Sequence, residues 1–88
     1  MEEGNIGLVM YDSNFKITYM NKQLRDILQD HVGEKVLNWL PDLQDVVTEI
    51  TNQQLIIIND EKYIVSKDKK NNTLIFRDIS REYDLSKK

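Results

Sequence analysis

Thr73-Leu74-Ile75-Phe76-Arg77-Asp78-Ile79-Ser80-Arg81-Glu82-Tyr83-Asp84-Leu85 is the stretch that decides how this chain is read. Its first half is rich in β-formers and predicts a strand over Thr73 to Asp78. At Ile79 the period changes, and the charged residues that follow suit a helix. Ser80 can cap a helix that begins at Arg81, and Glu82 falls in its first turn, where negative charge is favoured. A strand that launches an exposed helix suits a module that passes a signal onward. Asp78, Ile79 and Ser80 are the expected relay, with Asp78 held by a basic partner such as Lys16.

Working back from this junction, Asp68 to Asn72 is a polar turn and Lys62 to Lys67 a strand. Asn59-Asp60-Glu61 is a further turn. Gln54-Leu55-Ile56-Ile57-Ile58 is almost wholly apolar and predicts a strand that is central or buried on both faces. At the other end of the chain, Ile6 to Tyr11 and Phe15 to Met20 flank Asp12-Ser13-Asn14 and predict a hairpin, with Ile17 and Tyr19 on one face. Asn21 then stands where a helix N-cap is wanted. Leu24, Ile27 and Leu28 form one apolar stripe. Gly33 ends that region, and Val36, Leu37, Trp39 and Leu40 make an apolar patch around the single tryptophan. Pro41 and Asp42 suit the first turn of a second helix carrying Leu43, Val46, Val47 and Ile50. The order β-β-α-α-β-β-β plus a helix start predicts an α+β fold. It comprises a five-stranded antiparallel sheet with a short two-helix segment on one face. Residues 1–88 form one domain, with its core at about 5–80 and an output helix starting over 80–88.

Composition narrows the function. The chain has 88 residues, is 40% hydrophobic and 31% charged, and carries a formal charge of -3 with no cysteine. One soluble core fits this length. Disulfides, zinc thiolates and thiol catalysis are excluded. The acidic balance argues against nucleic acid as a partner. No run approaches the roughly 20 apolar residues of a membrane span, so no direct membrane insertion is expected. Lys67, Lys69 and Lys70 read as a solvated hairpin turn interrupted by Asp68.

No constellation predicts catalysis. His31 is the only histidine, and Asp30 and Glu34 beside it could orient it, but a surface role is the plainer reading. Asp42, Asp45 and Glu49 fall at helical spacing opposite an apolar stripe, which makes them a solvated face. No glycine-rich phosphate loop or calcium loop is present. Haem would need an axial side chain in an apolar pocket. His31 is the candidate ligand, with Met10 and Met20 as alternatives that more simply fill core gaps. The wall of such a pocket would be Leu24, Leu28, Val32, Leu37, Leu40, Val47, Ile57 and Ile75, the same residues that would make a solid core. Trp39 suits the core or an interface.

Taken together, Gly7-Leu8-Val9-Met10-Tyr11-Asp12-Ser13-Asn14-Phe15-Lys16-Ile17-Thr18-Tyr19-Met20-Asn21 and Arg77-Asp78-Ile79-Ser80 resemble the first hairpin and the terminal strand-to-helix motif of PAS domains. The resemblance covers almost the whole chain. Lys22 to Asn52 is short for the family, with room for about two helices. This shortening is similar to the PAS domain of bacterial membrane-bound cyclic-di-AMP phosphodiesterases. There it follows two transmembrane helices and precedes a degenerate GGDEF domain and a DHH-type catalytic region. The resemblance implies a piece of a longer protein, on the cytoplasmic side of a membrane that the parent protein crosses. It implies a non-catalytic, homodimeric regulator that binds haem b and modulates the downstream domains of its own chain. A ligand-free dimerisation module and a PAS domain of a sensor histidine kinase are the alternatives.

Overall fold

The computed structural model describes residues 6–79. The relay residue Ser80 and the expected output helix lie outside the described residues. Five strands, β1 (Ile6–Tyr11), β2 (Ile17–Met20), β3 (Gln53–Ile58), β4 (Glu61–Asp68) and β5 (Thr73–Asp78), form one antiparallel sheet in the order β2-β1-β5-β4-β3. Between β2 and β3 run α1 (Lys22–Leu28), α2 (Val36–Trp39), a 3₁₀ turn (Pro41–Leu43) and α3 (Gln44–Val47). The N- and C-terminal strands β1 and β5 pair side by side, so both ends of the domain meet at the middle of the sheet.

The connections follow from local chemistry. Asp12 accepts the backbone N–H groups of Asn14 (2.8 Å) and Lys16 (3.0 Å) through Oδ1, closing the first hairpin. Those two amides hold its carboxyl below the usual carboxylate range. A register shift between Met10 and Tyr11 leaves Thr18 unpaired. Ile17 and Met20 therefore face the core while Tyr19 faces out, which corrects the simple alternation expected of β2. Asn59 and Asp60, both at positive φ, make the two-residue turn between β3 and β4.

The second helix is shorter than its pattern predicts. Glu49 takes a left-handed φ of 65° and the N–H of Ile50 bonds back to the carbonyl of Asp45 at 2.8 Å. This closes the helix in a Schellman-type cap. Ile50 is consequently 72% exposed rather than the last member of a buried stripe. Ile27 is likewise exposed, so the stripe of α1 reduces to Leu24 and Leu28.

The helical segment covers one face of the sheet. Val9, Tyr11, Ile56, Tyr63, Val65, Leu74 and Phe76 from the strands pack against Leu24, Leu28, Val36, Leu43, Val46 and Val47. Trp39 lies half-buried against this core, stacked on Phe76 at 5.9 Å. Gly7 permits the closest approach, because a Cβ there would stand 2.7 Å from Leu24 Cδ1. By register, the opposite face carries Ile6, Leu8, Met10, Tyr19, Leu55, Ile57, Ile64 and Ile75. Two expectations are corrected here. β3 is an edge strand, and its apolar composition reflects two residues packed on the core, Ile56 and Ile58, and two turned outward, Leu55 and Ile57. Met10 sits on the outward face and fills no core gap.

Asn21 joins the two layers. Its Oδ1 accepts the N–H of Leu24 (3.3 Å) at the start of α1 and the N–H of Leu8 (3.2 Å) in β1, while Nδ2 donates to the carbonyl of Ile6 (3.2 Å). Asn21→Ala removes all three bonds and should cost about 2 kcal/mol in urea unfolding, more than an ordinary cap. Unchanged stability would show that the cap and the strand clasp carry nothing.

Candidate functional site

The residues expected to wall a pocket divide into three groups. Leu24, Leu28 and Val47 are buried in the core. Leu37 and Leu40 are half-buried and pack on it. Val32 lies 46% exposed in the loop after α1, and Ile57 is 61% exposed. Ile57 and Ile75 belong to the outward face of the sheet, because their neighbours Ile56, Leu74 and Phe76 take the inward positions. The structure therefore does not bring the eight residues around one cavity. A run of apolar residues in a strand does not reveal which of them point inward. Alternation from Phe76 and Leu74 would have shown Ile75 to be on the other side.

His31 is more tightly held than a surface histidine. Its Nε2 lies 3.1 Å from the carbonyl of Leu28 and its Nδ1 3.1 Å from Glu34 Oε1. Its ring stacks on Trp39 at 4.5 Å, and its N–H points to the sulfur of Met20 at 3.2 Å. His31, Trp39 and Phe76 thus form a stack running from the surface to the core. A haem ligand needs a free nitrogen facing an open pocket. In this packing both ring nitrogens face protein acceptors, and Leu24, Leu28 and Val47 lie in a filled core, so the residues do not fit haem. Entry would require the helices to part from the sheet. Among the described residues no group of three or more acidic or histidine side chains could hold a metal ion.

A cleft of about 190 Å³ opens elsewhere, where the segment after α3 meets the end of β4. Val46, Glu49, Thr51, Asn52, Lys67 and Lys69 line it. Lys67 is no solvated turn residue. It follows Tyr63 and Val65 on the inward face of β4, its side chain is 9% exposed, and its Nζ donates to Glu49 Oε2 at 2.9 Å. That bond and the positive charges of Lys67 and Lys69 hold the Glu49 carboxyl below its ordinary range. The same bond raises Lys67. Tyr11 lies nearby in the core, within electrostatic reach of both partners, and its buried hydroxyl has no hydrogen-bond partner in the structure. Sequence reading missed this group because Glu49 and Lys67 look like two separate solvated charges until α3 and β4 are placed together. Asp42 and Asp45 do lie on an exposed face.

At the end of β5, Asp78 stands opposite Tyr63. The Tyr63 hydroxyl is pushed up to about 12 by burial, with the charges of Asp78 and Glu61 adding to the effect. Ile79 donates its N–H to the carbonyl of Lys62 at 2.9 Å, which extends the ladder by one residue. Lys16 does not hold Asp78. It follows the hairpin turn beside Tyr11, whereas Arg77 and Asp78 lie beside Ile6, five residues away along β1, or about 17 Å at 3.3 Å per residue.

The sheet order, the polar first hairpin, the asparagine that starts the helical segment and the strand leading to the C-terminus define a PAS-type domain. The family model for "Cyclic-di-AMP phosphodiesterase GdpP-like, PAS domain" matches residues 2–79, and the chain belongs to that family. It is a family of non-catalytic sensory modules, and this domain is not itself an enzyme. No curated protein and no solved structure matches the chain.

The Glu49–Lys67 pair makes a pH prediction. A depressed carboxylate contributes stability above its ordinary range and loses it as pH falls through the folded pKa, while a raised lysine loses its contribution as pH rises through its own. By NMR, Glu49 should titrate below the ordinary glutamate range, and Lys67→Met should move its midpoint upward. A midpoint unmoved by that substitution would remove Lys67 as the cause.

Proposed function

We propose that this domain is a regulatory module of a GdpP-like phosphodiesterase that pairs with a second copy of itself and biases the domains that follow it. The outward face of the sheet carries the reading. Two register rows, Ile6–Arg77–Ile64–Leu55 and Leu8–Ile75–Ser66–Gln53, cross it, flanked by Met10 beside Tyr19 and by Ile57 beside Lys62. Ile6, Met10, Tyr19, Leu55 and Ile57 are all exposed, an accumulation that marks an interaction surface on a soluble domain. β5 crosses the middle of this face and leads directly to the C-terminal end of the chain, so a contact made here acts on the strand that leads onward.

The size of the face sets the strength. Five strands at about 4.8 Å spacing and six residues at about 3.3 Å give a patch of roughly 24 by 20 Å. Two copies would then bury on the order of 950 Å², in the range of weak, reversible interfaces. Association would thus be sensitive to neighbouring segments and to a regulatory input. The parent protein's membrane anchoring and its catalytic output belong to the same proposal and rest on the family assignment. Filled packing around Leu24, Leu28 and Val47 favours a module that works without haem in this conformation.

Sedimentation of the domain across micromolar to millimolar concentration tests the pairing. The parent domain should pass from monomer to dimer, and Leu55→Lys with Ile57→Lys should remain monomeric while retaining its unfolding midpoint, since both side chains are exposed. In the intact phosphodiesterase the same pair of substitutions should change hydrolytic output. A parent domain that stays monomeric at millimolar concentration, or a double variant that dimerises as well as the parent, contradicts the reading.

A further inference from the structure

The cleft between the end of α3 and β4 is a site for which the family assignment gives no role. Three features distinguish it from an ordinary surface ion pair. First, its lysine is enclosed. The Lys67 side chain is 9% exposed and projects from the inward face of β4, so its stem is packed and its ammonium is brought to the Glu49 carboxylate at 2.9 Å. Second, a second cation, Lys69, lines the same cleft and acts on the same carboxylate. Third, the buried Tyr11 hydroxyl, within electrostatic reach of Lys67 and Glu49, lacks a partner, in a protein interior where polar groups are ordinarily satisfied.

The anion now serving Lys67 is the side chain of Glu49, at 2.9 Å. Its carboxylate is half exposed, at the mouth of the cleft. Lys67, Lys69 and Glu49 leave the lined cleft with one net positive charge. Its volume of about 190 Å³ exceeds what one carboxylate needs. Thr51 and Asn52 on the rim add neutral polar groups suited to an oxyanion.

We propose that this cleft binds a small oxyanion, a phosphate or a short carboxylate, which takes the place of the Glu49 carboxylate on Lys67 and accepts the Tyr11 hydroxyl. Glu49 is then a tethered occupant that the ligand displaces. Displacement frees the Glu49 side chain at the head of the segment from Ile50 to Asn52, which leads straight into the edge strand β3. β3 carries Leu55 and Ile57 on the outward face, so an occupied cleft would be coupled to that face. The coupling rests on the regulatory reading given above, whereas the binding does not.

Titration of the ¹⁵N-labelled domain with inorganic phosphate, and separately with acetate, at constant ionic strength tests the site. Phosphate should give saturable shifts centred on the amides of Thr51, Asn52, Lys67 and Lys69. Glu49→Gln, which removes the competing charge, should tighten binding at least threefold. Tyr11→Phe, which deletes a hydroxyl without a partner and should leave folding intact, should weaken it at least threefold. Acetate saturating the same amides identifies the site as one for carboxylates too, and acetate without effect narrows it to phosphate. Shifts that do not saturate, or Glu49→Gln binding no tighter than the parent, would overturn the proposal. Binding that is confirmed while the domain stays monomeric would retain the site and remove the coupling.

Discussion

The side chain of Asn21 makes three bonds in three directions, and the arrangement of the domain depends on them. One ends at the first turn of α1 and two at the backbone of β1. An asparagine is suited to this place because its amide both accepts and donates. A serine could cap the helix but could not also reach both Ile6 and Leu8. By fixing where α1 leaves the sheet, Asn21 sets Leu24 over Gly7, where an added Cβ would stand 2.7 Å from Leu24 Cδ1 and push that side chain aside. From that contact the rest of the helical segment is laid across the inward face, ending in the Glu49 cap and its ion pair to Lys67.

A segment this short covers only one side. The inward face is filled by aromatic and aliphatic side chains from both layers, with His31 and Trp39 continuing the stack of Phe76 toward the surface. The outward face leaves Ile6, Leu55 and Ile57 exposed and Leu8, Ile64 and Ile75 only half-buried. The proposed pairing follows from this imbalance between the two faces more than from any single residue. The same imbalance gives β5 its importance, because it is central, packs Leu74 and Phe76 inward and turns Ile75 outward.

Much of this architecture was legible in the sequence, and the exceptions have physical causes. The strands β1 and β5, the Asp12 turn and the Asn21 cap were readable because each rests on local chemistry within a few residues. The length of the second helix was not, because Ile50 fits the helical period while the left-handed cap at Glu49 overrides it. The place of β3 was misread for a related reason: apolar composition indicates burial on both faces only when the outward face is covered. A ring of residues around a pocket could not be drawn from the sequence, since Ile57 and Ile75 differ from the core residues only in phase. Glu49 and Lys67, 18 positions apart, become a pair only through the tertiary fold. The PAS resemblance was legible from the two terminal motifs, and the family match over residues 2–79 agrees with it.

In the proposed dimer, two copies meet across the uncovered face of the sheet. The most direct measurement is an isotope-filtered NOE experiment on a mixture of labelled and unlabelled domain at millimolar concentration. Intermolecular NOEs should connect methyl groups of Leu8, Leu55, Ile64 and Ile75. Intermolecular NOEs confined to the helical side, at Val32 or Ile50 for example, would contradict the account.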